Sequence, residues 1–169
     1  MARDADARIE AQIPGLRRYA FALVRDRDRA DDLVQDCLER ALSHARRPVD
    51  EEDLRAWLFT ILRNLHISAW RSARRRGETA PLDAETDPGQ PADQERALVA
   101  RDALGALDQL PEEQQSLLLL IAVEDLSYDG AARVLGIPVG TVMSRLSRAR
   151  RRLRALMDRE HAPLLRRVK

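Results

Sequence analysis

At 169 residues the chain has room for one domain or two small ones, and 44% hydrophobic content with only 4% aromatic points to aliphatic cores. Charged residues make up 34% of it while the formal net charge is only +1, so strong charge must be segregated along the chain. The lone Cys37 excludes an internal disulfide, and His44, His66 and His161 lack metal-ligand spacing, so neither metal nor cofactor is expected.

The opening MARDADARIE is too charged for a secretory signal, and no apolar run approaches the ~18 residues of a membrane span. A cytoplasmic protein with no membrane insertion is expected. Ile9, Ile13, Leu16, Tyr19, Ala20 and Leu23 recur at helical spacing and predict one helix running through Pro14. Residues 28–44 predict a second, with acidic residues at its start where the helix dipole favours them. Cys37 lies on its apolar stripe among Leu33, Val34, Leu38, Ala41 and Leu42, as a buried structural thiol would. After a break at 46–49, residues 53–74 predict a long third helix with the stripe Leu54, Leu58, Ile61, Leu62, Leu65 and Ala69.

Composition then changes. Residues 78–95 hold six acidic side chains, no basic one, and Pro81, Pro88, Gly89 and Pro91, which predicts a flexible acidic linker. Beyond it Leu98, Ala103, Leu104, Leu107 and Leu110 form a further helical stripe. Pro111 opens the next helix, with Glu112 and Glu113 in its first turn and the nearly unbroken apolar run 117–123 as its core. Ser127 is a plausible N-cap for the helix after that. Nothing reads as a strand. The expected fold is all-α, with two small helical domains, 8–77 and 96–158, joined by the linker 78–95, and a basic, frayed tail from residue 159.

Residues 126–154, LSYDGAARVLGIPVGTVMSRLSRARRRLR, carry the sharpest motif. A short helix packed through Ala131, Ala132, Val134 and Leu135 ends at Gly136, with Ile137 as a buried plug. A second helix then becomes intensely basic. That is a helix-turn-helix, whose second helix lies in the DNA major groove. Thr141, Ser144, Arg145, Ser147 and Arg148 lie at its front, and Arg150, Arg151, Arg152 and Arg154 extend the charge. Six Arg between positions 145 and 154 exceed what a solvated face needs. The bland alternative is a basic amphipathic helix for RNA, membrane or an acidic partner.

Two further constellations stand in the first domain. Trp57, Thr60, Asn64, Ser68 and Arg71 form a ridge beside the apolar stripe, followed by Arg74, Arg75 and Arg76. An aromatic ring, amide and hydroxyls beside Arg suit a strand whose bases are stacked or hydrogen-bonded. Core packing is the alternative for Trp57 and for Phe59 and Trp70, and dipole complementation for the Arg run. Asp31, Asp32, Gln35 and Asp36 make an acidic patch around Leu33 and Val34. It is either a plain acidic helix start or a docking site for a basic surface.

On these motifs the chain resembles a bacterial RNA polymerase sigma factor of the extracytoplasmic-function type. DRADDLVQDCLERAL is similar to region 2.2, LRAWLFTILRNLHISAW to regions 2.3 and 2.4, and the stretch from LDQLPEEQQ to RARRRL to region 4. The resemblance covers nearly the whole chain in order. It implies two partners, core RNA polymerase (the β′ clamp helices and the β flap) and promoter DNA. It also implies control by an anti-sigma factor that clamps the free domains. It implies that Asp31, Asp32, Leu33, Val34, Gln35 and Asp36 meet the clamp helices. Trp57, Asn64, Ser68, Arg71, Arg74 and Arg75 would meet the −10 element, with Asn64 lining the pocket for an extruded base. Thr141, Ser144, Arg145, Arg148 and Arg151 would face the −35 element, where Met143 departs from relatives with Arg. The linker would thread the RNA exit path. DRDRADDLVQ and LRAWLFTILRN are similar to the general-stress branch, whose antagonist is a small anti-sigma protein.

The implied function is promoter selection and initiation of transcription, with no enzymatic activity of the chain's own. Two other classes stay beside it. A two-component response regulator shares the helix-turn-helix but needs a phosphoacceptor Asp at a strand end. A sigma-like decoy would titrate an anti-sigma factor and never touch DNA; the basic helix and Asn64 weigh against it.

Overall fold

The computed structural model describes residues 2–44, 48, 50–77 and 102–165, and every regular element among them is an α-helix. The expected single helix over residues 9–23 is two. Helix α1 spans Ala2–Glu10 and α2 Ile13–Val24, parted by a turn at Ala11 and Gln12. Pro14 is the reason: it has no N–H to donate and belongs in the first turn of a helix, so it starts α2 rather than continuing α1. Arg25 closes α2 in the left-handed region at φ 57°, donating its N–H to the Phe21 carbonyl at 2.9 Å.

Helix α3 spans Arg27–Ser43, and its N-cap Asp26 accepts from the Arg29 N–H at 2.8 Å. Helix α4 spans Glu51–Arg75. Asp50 caps it by accepting from the N–H groups of Glu52 and Asp53, at 2.9 and 3.1 Å. Three acids in its first turn and Arg74 and Arg75 in its last complement the dipole. These helices bury Leu16, Tyr19, Leu33, Val34, Leu58 and Leu62 together. Phe59 packs there too, edge-on to Tyr19 with centroids 5.3 Å apart. Cys37 is buried as expected, its thiol donating to the Leu58 carbonyl at 3.4 Å.

The second half begins with the helical residues 102–108 (α5), followed by α6 over Glu112–Ala122, α7 over Tyr128–Leu135 and α8 over Val139–Leu165. Leu117, Leu120, Val134, Val142, Leu146 and Ala149 form its core. Helix α8 runs well past residue 159, where a frayed tail was expected. Leu98, the linker 78–95 and residues 166–169 lie outside the described residues. The two halves pack directly on each other, α2 and α4 against α6 and α7.

Candidate nucleic-acid and polymerase interface

The α7–turn–α8 unit is built by local chemistry. Ser127 caps α7, its hydroxyl accepting from the Gly130 N–H at 2.9 Å. Gly136 ends α7 at φ 64°, a left-handed position that only glycine takes without penalty. The next N–H, of Ile137, returns to the Ala132 carbonyl at 3.1 Å. Pro138 then opens α8, its carbonyl accepting from Thr141 and Val142 at 2.9 and 3.1 Å.

Val142, Leu146 and Ala149 pin one face of α8 into the core, which turns Met143, Ser144, Ser147, Arg148 and Arg151 outward. Two of the expected −35 side chains are less free. Thr141 is half-buried. Arg145 is tied to the Glu113 carboxylate of α6 at 2.5 Å, with 31% of its side chain exposed. The Ser144 hydroxyl donates back to the Thr141 carbonyl at 3.1 Å. Among the described residues Arg148, Arg150, Arg151, Arg152 and Arg154 have no acidic partner and lie on the surface, apart from Leu153 between them. A run of unneutralised guanidinium groups on a helix is a surface for phosphates.

On α4 the ridge divides along its length. Trp57 is half-buried, with the His44 ring edge-on at 5.5 Å, and Thr60 donates to the Ala56 carbonyl at 2.8 Å. Asn64, Ser68, Arg71, Arg74 and Arg75 are exposed. Ala69, expected on the apolar stripe, is also exposed. Trp70 does not pack into the core: it is 47% exposed, and the Arg74 guanidinium lies over its ring at 5.3 Å. The i, i+4 spacing of Trp70 and Arg74 is the signal that could have revealed it. His66, further round α4, is held below the ordinary imidazole value, mainly by burial, with Glu112 opposing. It adds no charge to this face at neutral pH.

On α3, Asp31, Asp32, Gln35 and Asp36 are exposed, while Leu33 and Val34 point into the core and offer no surface. Asp31 pairs with Arg17 at 3.2 Å, and Gln35 donates to Glu39 at 3.0 Å. The acidic face, the Asn64–Arg75 strip and the α8 face are thus three separate exposed surfaces on one chain. Among the described residues no group of three or more metal-ligating side chains comes together, and no helix is long and apolar enough to cross a membrane.

Comparison with known proteins assigns these surfaces to a family. Residues 9–63 match the Sigma2 domain of PhyR family, and residues 100–153 match the Sigma-70, region 4 family. The chain is 44% identical over 150 residues to the ECF RNA polymerase sigma factor EcfG of Rhodopseudomonas palustris, covering 88% of this chain and 82% of that protein. It is 39% identical over 144 residues to the ECF RNA polymerase sigma factor SigL of Mycobacterium tuberculosis, covering 83% and 81%. Among solved structures it is similar to the sigma factor RpoE from Bartonella quintana, co-crystallised with the anti-sigma factor NepR. That match has a TM-score of 0.73 and 35% identity, over 92% of this chain and 98% of that one. With two family matches in the expected order and relatives of this identity over most of its length, the chain belongs to the extracytoplasmic-function family of RNA polymerase sigma factors.

Proposed function

We propose that residues 8–77 bind core RNA polymerase and read the −10 element, that residues 96–158 read the −35 element, and that residues 78–95 tether the two. Two modest contacts gain strength once both dock on one assembly, because the tether sets a high effective concentration for the second. The observation that carries this reading is the exposed, unneutralised face of α8 on the same chain as the exposed Asn64–Arg75 strip.

The roles follow from what each surface offers. Asp31, Asp32, Gln35 and Asp36 present carboxylates and an amide to basic residues of the β′ clamp helices. Leu33 and Val34 hold that face of α3 in place from the core. Asn64 receives an extruded −10 base, with Ser68, Arg71, Arg74 and Arg75 along the non-template strand and Trp57 packed behind them. Ser144, Arg148 and Arg151 enter the −35 major groove, while Arg145 and Thr141 brace the helix. The chain selects promoters and supplies no catalysis of its own. Its place of action is the cytoplasm, with the polymerase. An anti-sigma factor of the kind bound to the Bartonella relative controls it, which the similarity over 92% of this chain supports.

The test is transcription by purified core polymerase with this protein and genomic promoter fragments, with start sites mapped. Discrete starts preceded by shared −35 and −10 sequences are expected. Asn64→Ala combined with Arg148→Ala should abolish those transcripts and keep polymerase binding. A decoy would give no transcripts to lose.

A further inference from the structure

The apolar stripe of α8 runs Val142, Leu146, Ala149, and these three are sealed in the core. Met143 stands off that stripe, about 100° round the helix from Val142. It is 54% exposed, the highest value of any large apolar side chain among the described residues. The core therefore has no claim on most of its surface, and what it does is decided by what α8 docks on.

Its surroundings are open. Gly140, Ser144 and Ser147 flank it on the outward face, all exposed and all short. A Cβ added to Gly140 would meet nothing within 4 Å. Small neighbours let the helix backbone come close to a docked surface, and the longer thioether then reaches past them. The polar groups beside it are partly engaged already. The Ser144 hydroxyl donates to the Thr141 carbonyl at 3.1 Å, and Arg145 is held by Glu113.

Further along the same flank, at seven and eleven positions from Met143, stand Arg150 and Arg154, exposed and without an acidic partner among the described residues. A flank that turns basic along its length follows a line of phosphates. That charge carries Met143 against DNA rather than into an apolar groove of a protein. A thioether makes no strong hydrogen bond. Set against the amino group or carbonyl of a base, it would strip water from a polar edge and return nothing. The major groove displays one apolar group, the C5-methyl of thymine, and an unbranched, polarizable side chain adapts well to it.

We propose that Met143 is a specificity-determining residue of the −35 contact, packing its thioether on the C5-methyl of a thymine in the major groove. This rests on the docking proposed above, in which the front of α8 enters that groove. It requires an A·T pair at the matching position of the element. Arg148, five positions on and about 140° round the helix, reaches a different place, so the two contacts act independently.

The test uses holoenzyme made with the full chain and a promoter whose −35 element has been mapped from its start sites. Each thymine of the element, on either strand, is replaced in turn by deoxyuridine, which removes the methyl and keeps the pairing. Affinity should fall about fourfold at one position, the worth of one methyl withdrawn from an apolar contact. Met143→Ala should bind the thymine and uracil duplexes equally, and should bind the uracil duplex as well as the unchanged protein does, which shows that the variant is folded. Met143→Leu, still apolar, should keep a preference for thymine. An element without an A·T pair overturns the proposal. So does a methyl effect that is absent from the unchanged protein or survives Met143→Ala, and so does a Met143→Ala loss that is the same on both duplexes. Holoenzyme that binds the element without sensing any methyl sinks this proposal alone. Promoter binding indifferent to the −35 element sinks the functional reading, and the proposal with it.

Discussion

Arg145 and Glu113 close on each other at 2.5 Å and tie the start of α8 to α6. On the proposed docking, a guanidinium held this way braces α8 and is withdrawn from the groove that Arg148, exposed one turn on, would face. The two arginines should therefore respond differently to removal. Arg145→Ala should lower thermal stability by about 0.2–1 kcal/mol, since both partners keep solvent contact. Arg148→Ala should leave stability alone and weaken −35 binding. If it contacts phosphate, it should also reduce the slope of log affinity against log salt by about 1. Titrating holoenzyme against a promoter duplex at several salt concentrations measures both. Equal effects of the two changes on the slope would refute the division of roles.

Trp70 stands on the surface with Arg74 over its ring. A ring and guanidinium so arranged offer a flat, cationic platform for an unpaired base. Trp70→Ala should weaken capture of single-stranded non-template DNA by holoenzyme by about 1–3 kcal/mol, with little change in melting temperature. Trp57→Ala should do the reverse, because Trp57 is half-buried against His44. Strand-binding assays and thermal melts of the two variants decide the matter.

Gly136 leaves nothing within 4 Å of an added Cβ, yet sits at φ 64°. Gly136→Ala is then a pure backbone penalty of about 1 kcal/mol. Chemical denaturation should show that loss, and a null result would mean the turn re-forms at no cost.

Burial pushes the Cys37 thiol up to about 12 from a model-peptide value of 9.0. The unfolded chain ionises this group first, so the folded state binds more protons over that interval. The contribution to stability is whole below pH 9 and is lost as the pH rises towards 12. Tyr19, whose phenol is also raised by burial, adds in the same direction. At pH 8 the native thiol should resist a disulfide reagent and react fully once unfolded. Rapid labelling of native protein would contradict its placement.

Much of this was legible because it is local. Ser127, Gly136 and Pro138 act within a few residues of themselves, and the helix-turn-helix they frame matches its sequence pattern. The break between α1 and α2 is hidden in the sequence because apolar spacing continues smoothly through Pro14, while the proline's backbone constraint sets the break. On α3 an acidic patch and an apolar stripe interleave, so spacing alone does not tell that Leu33 and Val34 turn into the core while Asp31, Asp32, Gln35 and Asp36 reach solvent. The ion pairs of Glu124 with Arg18 and Arg55, which join the two halves, were invisible for a different reason. Glu124 lies 106 positions from Arg18 and 69 from Arg55, and an acid in a turn looks like any solvated acid until its partners are known.

Helix α8 has one more consequence. Its 27 residues rise about 40 Å, far beyond the two turns that a groove about 12 Å wide admits. On the proposed docking, choice of sequence belongs to the front of the rod and strength of grip to its arginine-rich middle. A lineage could therefore retune how tightly promoters are held by trading arginines along the shaft, without rewriting which promoters are heard.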